Sequence, residues 1–113
     1  MRRSLGIATT ALIAGIVWFL APAAPSSMAA TATAQSAARI FASKCAGCHA
    51  PDGTGNIAGT PNFTDAAWQA GVTDEQLTAS ITNGKGKVMP AWGKTLSSDQ
   101  IKGLVAHIRS LKK

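Results

Sequence analysis

The 113-residue sequence predicts an all-α domain. Three observations lead there. Past Ala30 no segment shows the period-two alternation of β-branched and aromatic residues that marks a strand. Two runs, Thr73-Asp-Glu-Gln76 and Ser97-Ser-Asp-Gln100, have the form of capping boxes and open helical patterns. A third stretch, Ala34 to Lys44, is alanine-rich and free of glycine and proline. No internal repeat is present.

Ahead of these helices the chain has the three parts of an export signal. Arg2 and Arg3 form a basic head, Leu5 to Leu20 an uncharged apolar core, and Pro22 to Ala30 a run of small residues and prolines. The expected organisation is therefore a signal peptide over 1–30 and a folded domain over 31–113. Ser27-Met28-Ala29 and Ala30-Thr31-Ala32 both satisfy the small-x-small rule for cleavage. Because the apolar run approaches the ~18 residues that span a bilayer, a retained anchor is the alternative. Loss of the signal removes Arg2 and Arg3 and leaves nine basic against five acidic residues, a net charge of +4 in place of +6. Such a charge suits steering toward acidic partners, and equally suits simple solubility. It does not suggest nucleic acid, since no lysine run is interleaved with aromatics and the export signal points away from it.

Each helix has its own logic. The first, Ala34–Lys44, offers Ile40 and Phe41 as apolar contacts. The second begins at the Thr73 box, with Val72 placed to staple onto Leu77; it buries Leu77 and Ile81 and stops at Asn83-Gly84. The third begins at the Ser97 box with Leu96 and Ile101 as the staple, and Ile101, Leu104, Val105, Ile108 and Leu111 keep the 3.6 period of one buried stripe. Between them lie two glycine- and proline-rich loops, 50–61 and 84–93, which are expected to carry function rather than core.

A domain of roughly 80 residues is near the size at which an apolar core needs a staple. Cys45 and Cys48 are too close in sequence for a useful disulfide, which would close only a tiny loop. A cofactor held at the cysteines is the better staple. Cys45-Ala46-Gly47-Cys48-His49 is a C-x-x-C-H run. Two thiols about one helical turn apart can each add to a vinyl group of a haem, and the adjacent imidazole can then turn onto the iron. A thioredoxin-like site would need a βαβ context and a longer chain. A zinc site could count His107 as its fourth ligand, but adjacent Cys48 and His49 are unlike the common zinc spacings.

With Thr60-Pro61-Asn62-Phe63 and Val88-Met89-Pro90-Ala91-Trp92-Gly93 following in order, the sequence resembles a class I cytochrome c, the small monohaem carriers of bacteria and organelles. The match runs from about Ala34 to Leu111. It implies a small cytochrome c fold, three to four helices wrapped around one covalently bound haem c. By the same resemblance, Cys45 and Cys48 attach the haem, His49 and Met89 ligate its iron, and the Pro61 carbonyl accepts from the outer imidazole N–H. Phe63 is expected on the haem face, Phe41 at the crossing of the first and last helices, and either Trp92 or Trp68 at the haem pocket. Family members often carry a glycine at the position of Ala37 and an aromatic at that of His107, so the closeness of this crossing is open; His107 is expected to be a packed helix residue.

Two axial ligands would leave no site for substrate, which implies an electron carrier and not an enzyme. The thioether and burial would both raise the potential. The loop 84–93 has no helix or strand signal, so the iron bond is expected to help order it. Lys85, Lys87 and Lys94 surround this loop and would form a docking ring for acidic surfaces of larger redox proteins or membrane complexes. The expected state is a periplasmic monomer, with a thylakoid lumen or a membrane tether as alternatives. Competing functions are a haem enzyme or gas sensor with a displaceable Met89, and a tethered electron-entry subunit held by Leu5 to Leu20.

Overall fold

The computed structural model describes Gly15 and residues 26–113, so the expected basic head and apolar core of the signal lie outside the described residues, Gly15 excepted. Helix α1 spans Ser26–Ile40, beginning well before the expected Ala34. Alanine is the best helix former, and the small-residue run that resembles a cleavage region extends the helix equally well. A π-helical turn, Phe41–Cys45, follows, with the Ala46 N–H donating to the Phe41 carbonyl. The short α2, Ala46–His49, completes the N-terminal segment.

An unexpected helix, α3 (Ala66–Gly71), is capped by the Asp65 carboxylate, which accepts from the backbone of Ala67 and Trp68. Helices α4 (Asp74–Asn83) and α5 (Ser98–Ser110) start at the two expected capping boxes, and in each both reciprocal hydrogen bonds form. Such a cap contributes about 1 kcal/mol. Among the described residues no strand forms, and no helix is long and apolar enough to cross a membrane.

The expected stripe on α5 is buried at Ile101, Leu104, Val105 and Ile108, while Leu111 lies past the helix end and is only partly covered. Leu77 and Ile81 of α4 meet it, as do Phe41 and Phe63. Each of these side chains contributes on the order of 1.5–3 kcal/mol by leaving water. Helices α1 and α5 make the most extensive pairing in the fold. Their close approach rests on two small residues: a Cβ on the buried Gly103 would sit 3.4 Å from the Ala37 Cβ and 3.5 Å from Thr33 Cγ2. With Ala37 at this position the two helices still approach closely. One turn on, the His107 ring lies 4.9 Å from that of Phe41, a packed helix residue as expected.

Arg109 ties α3 and α4 to α5. Its Nε donates to Asp74 Oδ1 at 2.8 Å, Nη1 to the Gln69 backbone carbonyl at 2.6 Å and to Gln69 Oε1 at 2.9 Å, and Nη2 to the Val72 carbonyl at 2.6 Å. Asp74 is exposed, so the ion pair itself adds little. The fork to part-buried acceptors is the stronger part.

Candidate functional site

Cys45 closes the π turn, and Cys48 and His49 lie on α2, so local winding alone brings the three side chains to one region. The chain then reverses at Ala50, whose φ of +65° falls where non-glycine residues are rare. This sharp exit lets Gly55 and Asn56 donate back to the carbonyls of His49 and Cys48, at 2.9 and 2.8 Å. The first loop thereby folds against the C-x-x-C-H run.

A cavity of about 340 Å³ opens at this point, a size in the range of cofactor sites. It is lined by Cys45, Cys48 and His49, by Pro61 from the first loop, and by Met89 and Trp92 from the second. Phe63 and Trp68 lie elsewhere. Phe63 is absent from the lining and instead stacks on the His49 imidazole, with ring centroids 4.7 Å apart and planes 19° apart. Trp68 packs on Phe63 at 5.2 Å, also away from the cavity.

Burial lowers the His49 pKa, leaving a neutral imidazole with a lone pair to offer a metal. Its Nδ1 is buried without a hydrogen-bond partner, so the expected bond to the Pro61 carbonyl is not formed in this structure. Both cysteines are free. Burial, aided by the neighbouring Cys48, raises the Cys45 pKa against the opposing charge of Lys44. A thioredoxin-like site requires a βαβ context, and among the described residues no strand forms. Among the described residues no three His, Cys, Asp or Glu side chains converge as a metal site, and His107 is packed against Phe41, which leaves the zinc alternative without its ligand set.

The second loop departs from expectation. Lys85 and Met89 pair as an isolated antiparallel bridge, N–H to carbonyl in both directions at 3.1 and 3.3 Å. Trp92 and Gly93 donate to the Ile81 and Thr82 carbonyls at the end of α4, at 2.9 and 3.0 Å. Gly84 makes the entry possible: its φ is +74°, and a Cβ there would lie 2.6 Å from the Met89 carbonyl oxygen. Met89 is thus held by backbone contacts of its own, before any bond to a metal.

Around the rim, Lys44, Lys85 and Lys87 line the cavity, and Lys94 does not. Lys44 Nζ stands 5.3 Å from the centre of the Trp92 ring. Ile57 and Val88 also line the cavity and are 41 % and 68 % exposed, the exposed large apolar residues among those described. Sequence reasoning missed Lys44, Ile57 and Val88; apolar residues inside loops of otherwise polar composition are the signal that could have found the latter two.

A cavity flanked by two free thiols, a neutral imidazole with an orphaned ring nitrogen, and a thioether from another loop fits a covalently held haem. The family described as cytochrome c oxidase, cbb3-type, subunit III matches residues 32–108. The FixP subunit of the cbb3-type cytochrome c oxidase of Azorhizobium caulinodans is 42% identical over 100 residues, covering 88% of this chain and 33% of that protein. This chain thus spans about a third of that relative's length. Among solved structures, the KustC0563 c-type cytochrome matches with a TM-score of 0.65 and 30% identity, over 68% of this chain and 98% of its own. Cytochrome cL from Hyphomicrobium denitrificans matches with a TM-score of 0.64 and 27% identity, over 74% of this chain and 50% of its own.

Proposed function

The chain belongs to the cytochrome c oxidase, cbb3-type, subunit III family, and from that membership we propose that it is a monohaem c-type electron carrier working with a larger membrane-bound redox complex, without turning over a substrate itself. The observation that carries this reading is the single cavity lined by Cys45, Cys48, His49 and Met89. Haem c, when bound, supplies a one-electron ferric/ferrous couple.

The remaining chemistry belongs to the chain. Cys45 and Cys48 would hold the group through their sulfurs, and His49 and Met89, which line the same cavity, would be its iron ligands and leave no position for substrate. Met89, a neutral and polarisable ligand, favours the ferrous state and raises the potential. Trp92, with its indole N–H, and Pro61 border the same space. Lys44, Lys85 and Lys87 line the cavity together with the exposed apolar residues Ile57 and Val88. Such a face suits a partner with an acidic border, whose attraction speeds encounter more than it strengthens the complex.

The domain is proposed to span 31–113 and to act in the periplasm as a monomer. The first 30 residues are either removed as a signal peptide or retained as a tether. The likeness to oxidase subunits favours the tethered form as a second reading, an electron-entry module held at its complex. Acid–acetone extraction followed by intact mass tests both points on native protein. Haem should stay with the polypeptide, and the mass reports the N-terminus; haem leaving with the solvent contradicts the assignment.

A further inference from the structure

Gln69 is the buried polar side chain among the described residues, 5 % exposed, and its hydrogen-bonding capacity is nearly used up. Nε2 donates to the Phe63 carbonyl and to the Ile108 carbonyl, both at 2.8 Å, while Oε1 accepts from Arg109 Nη1 at 2.9 Å. The orientation of the amide is settled by its partners: guanidinium can only donate, and backbone carbonyls can only accept. Phe63 is gripped from its other side as well, its N–H donating to the Gly53 carbonyl at 2.8 Å. With its backbone held at both polar atoms, its ring stacks on His49.

A buried imidazole whose Nδ1 finds no hydrogen-bond partner has lost the usual means by which a ligating histidine is oriented. The ring contact that His49 does make is the stack on Phe63. We propose that Gln69, locked by Arg109, is a positioning residue for the axial imidazole of His49, acting through Phe63. The proposal rests on the reading of His49 as an iron ligand. Energetically it is plausible because the clamp is buried: removing the amide leaves the Phe63 carbonyl to find another donor, and the loop between Asn62 and Asp65 has to shift to do so. A carbonyl shift of the stacked residue moves the face against which the imidazole rests.

The test uses the full-length haem-loaded protein in its ferric form. Proton NMR of the haem methyl groups reports the orientation of an axial imidazole, and the midpoint potential is measured on the same samples. Gln69→Leu should redistribute the methyl resonances and move the potential, and so should Phe63→Leu. In the Phe63→Leu background, Gln69→Leu should have a smaller effect, since the stacked ring through which the backbone clamp acts is gone. A lowered melting temperature with an unchanged methyl pattern and potential would make Gln69 merely structural and overturn the proposal. Equal effects of Gln69→Leu in both backgrounds would also overturn it, by showing that Phe63 is not the intermediary. If Gln69→Leu yields no folded protein, Arg109→Lys decides: it keeps the charge but loses the fork, and should produce a smaller redistribution that shrinks further in the Phe63→Leu background. Failure of the underlying reading is distinguishable, because wild-type protein would then lack the spectrum of an imidazole-ligated haem.

Discussion

Ala37 and Gly103 meet across the α1–α5 crossing so closely that a Cβ on Gly103 would rest 3.4 Å from that of Ala37. The distance is ordinary van der Waals contact, so one methyl group fits and a branched side chain does not. Gly103→Ala should be tolerated and should raise stability by up to about 1 kcal/mol, the helix-propensity difference between the two residues. Gly103→Leu forces the helices apart and should lower stability by roughly 1–3 kcal/mol or more. Thermal unfolding of the haem-loaded variants measures both.

The stability of the haem-loaded protein should fall as the pH drops below neutral, and His107 should be one source. Burial against Phe41 lowers its pKa from the ordinary 6.5. Between the unfolded value and the lower folded value, the unfolded chain binds a proton that the folded chain refuses, so stability is full above pH 6.5 and is lost as the pH falls through that window. His49, the other histidine of the sequence, does not titrate freely while it ligates iron. His107→Gln should therefore flatten the loss between about pH 7.5 and 5.5, before most carboxylates titrate. Denaturant midpoints across that range check the slope, and a variant as pH-sensitive as the wild type would remove His107 from the account.

Charge at the cavity rim should govern encounter. Lys85→Glu with Lys87→Glu reverses two of the three lysines that line the cavity. Electron transfer with an acidic partner should slow by about tenfold or more at low salt, and the difference should shrink as ionic strength rises. The absorption spectrum should not change. Stopped-flow rates over a salt series measure this, and an unchanged rate would assign the lysines to solubility.

Most of what was legible in the sequence is locally encoded. The capping boxes at Thr73 and Ser97 are pairs of residues three apart that satisfy one another, so they read correctly without tertiary information. The stripe on α5 and the C-x-x-C-H run are equally local. Features that depend on distant partners were not legible. Gln69 resembles any surface glutamine until Arg109, forty positions away, and the carbonyls of Phe63 and Ile108 enclose it. Gly103 resembles a weak point in a helix until Ala37 is placed against it. The π turn at Phe41–Cys45 breaks no rule of composition, and α3 is too short for a periodic signal, with only the Asp65 cap to announce it. The support of the Met89 loop was missed because its donors are backbone groups that bond to the end of α4.

Met89 bears the central claim, that the chain carries a six-coordinate haem built for electron transfer. It lines the cavity with His49 and is held there by the bridge to Lys85. Replacing it by alanine would remove the methionine sulfur while, on the proposed reading, Cys45, Cys48 and His49 should still retain the haem. The potential should fall, and the loop, still tied to Ile81 and Thr82, should loosen only around the bridge. Carbon monoxide added to the ferrous protein gives the most direct reading: wild type should bind it poorly, and Met89→Ala should bind one equivalent per haem. Wild-type protein that takes up carbon monoxide as readily as the variant would show that Met89 is not an iron ligand and would contradict the electron-carrier account.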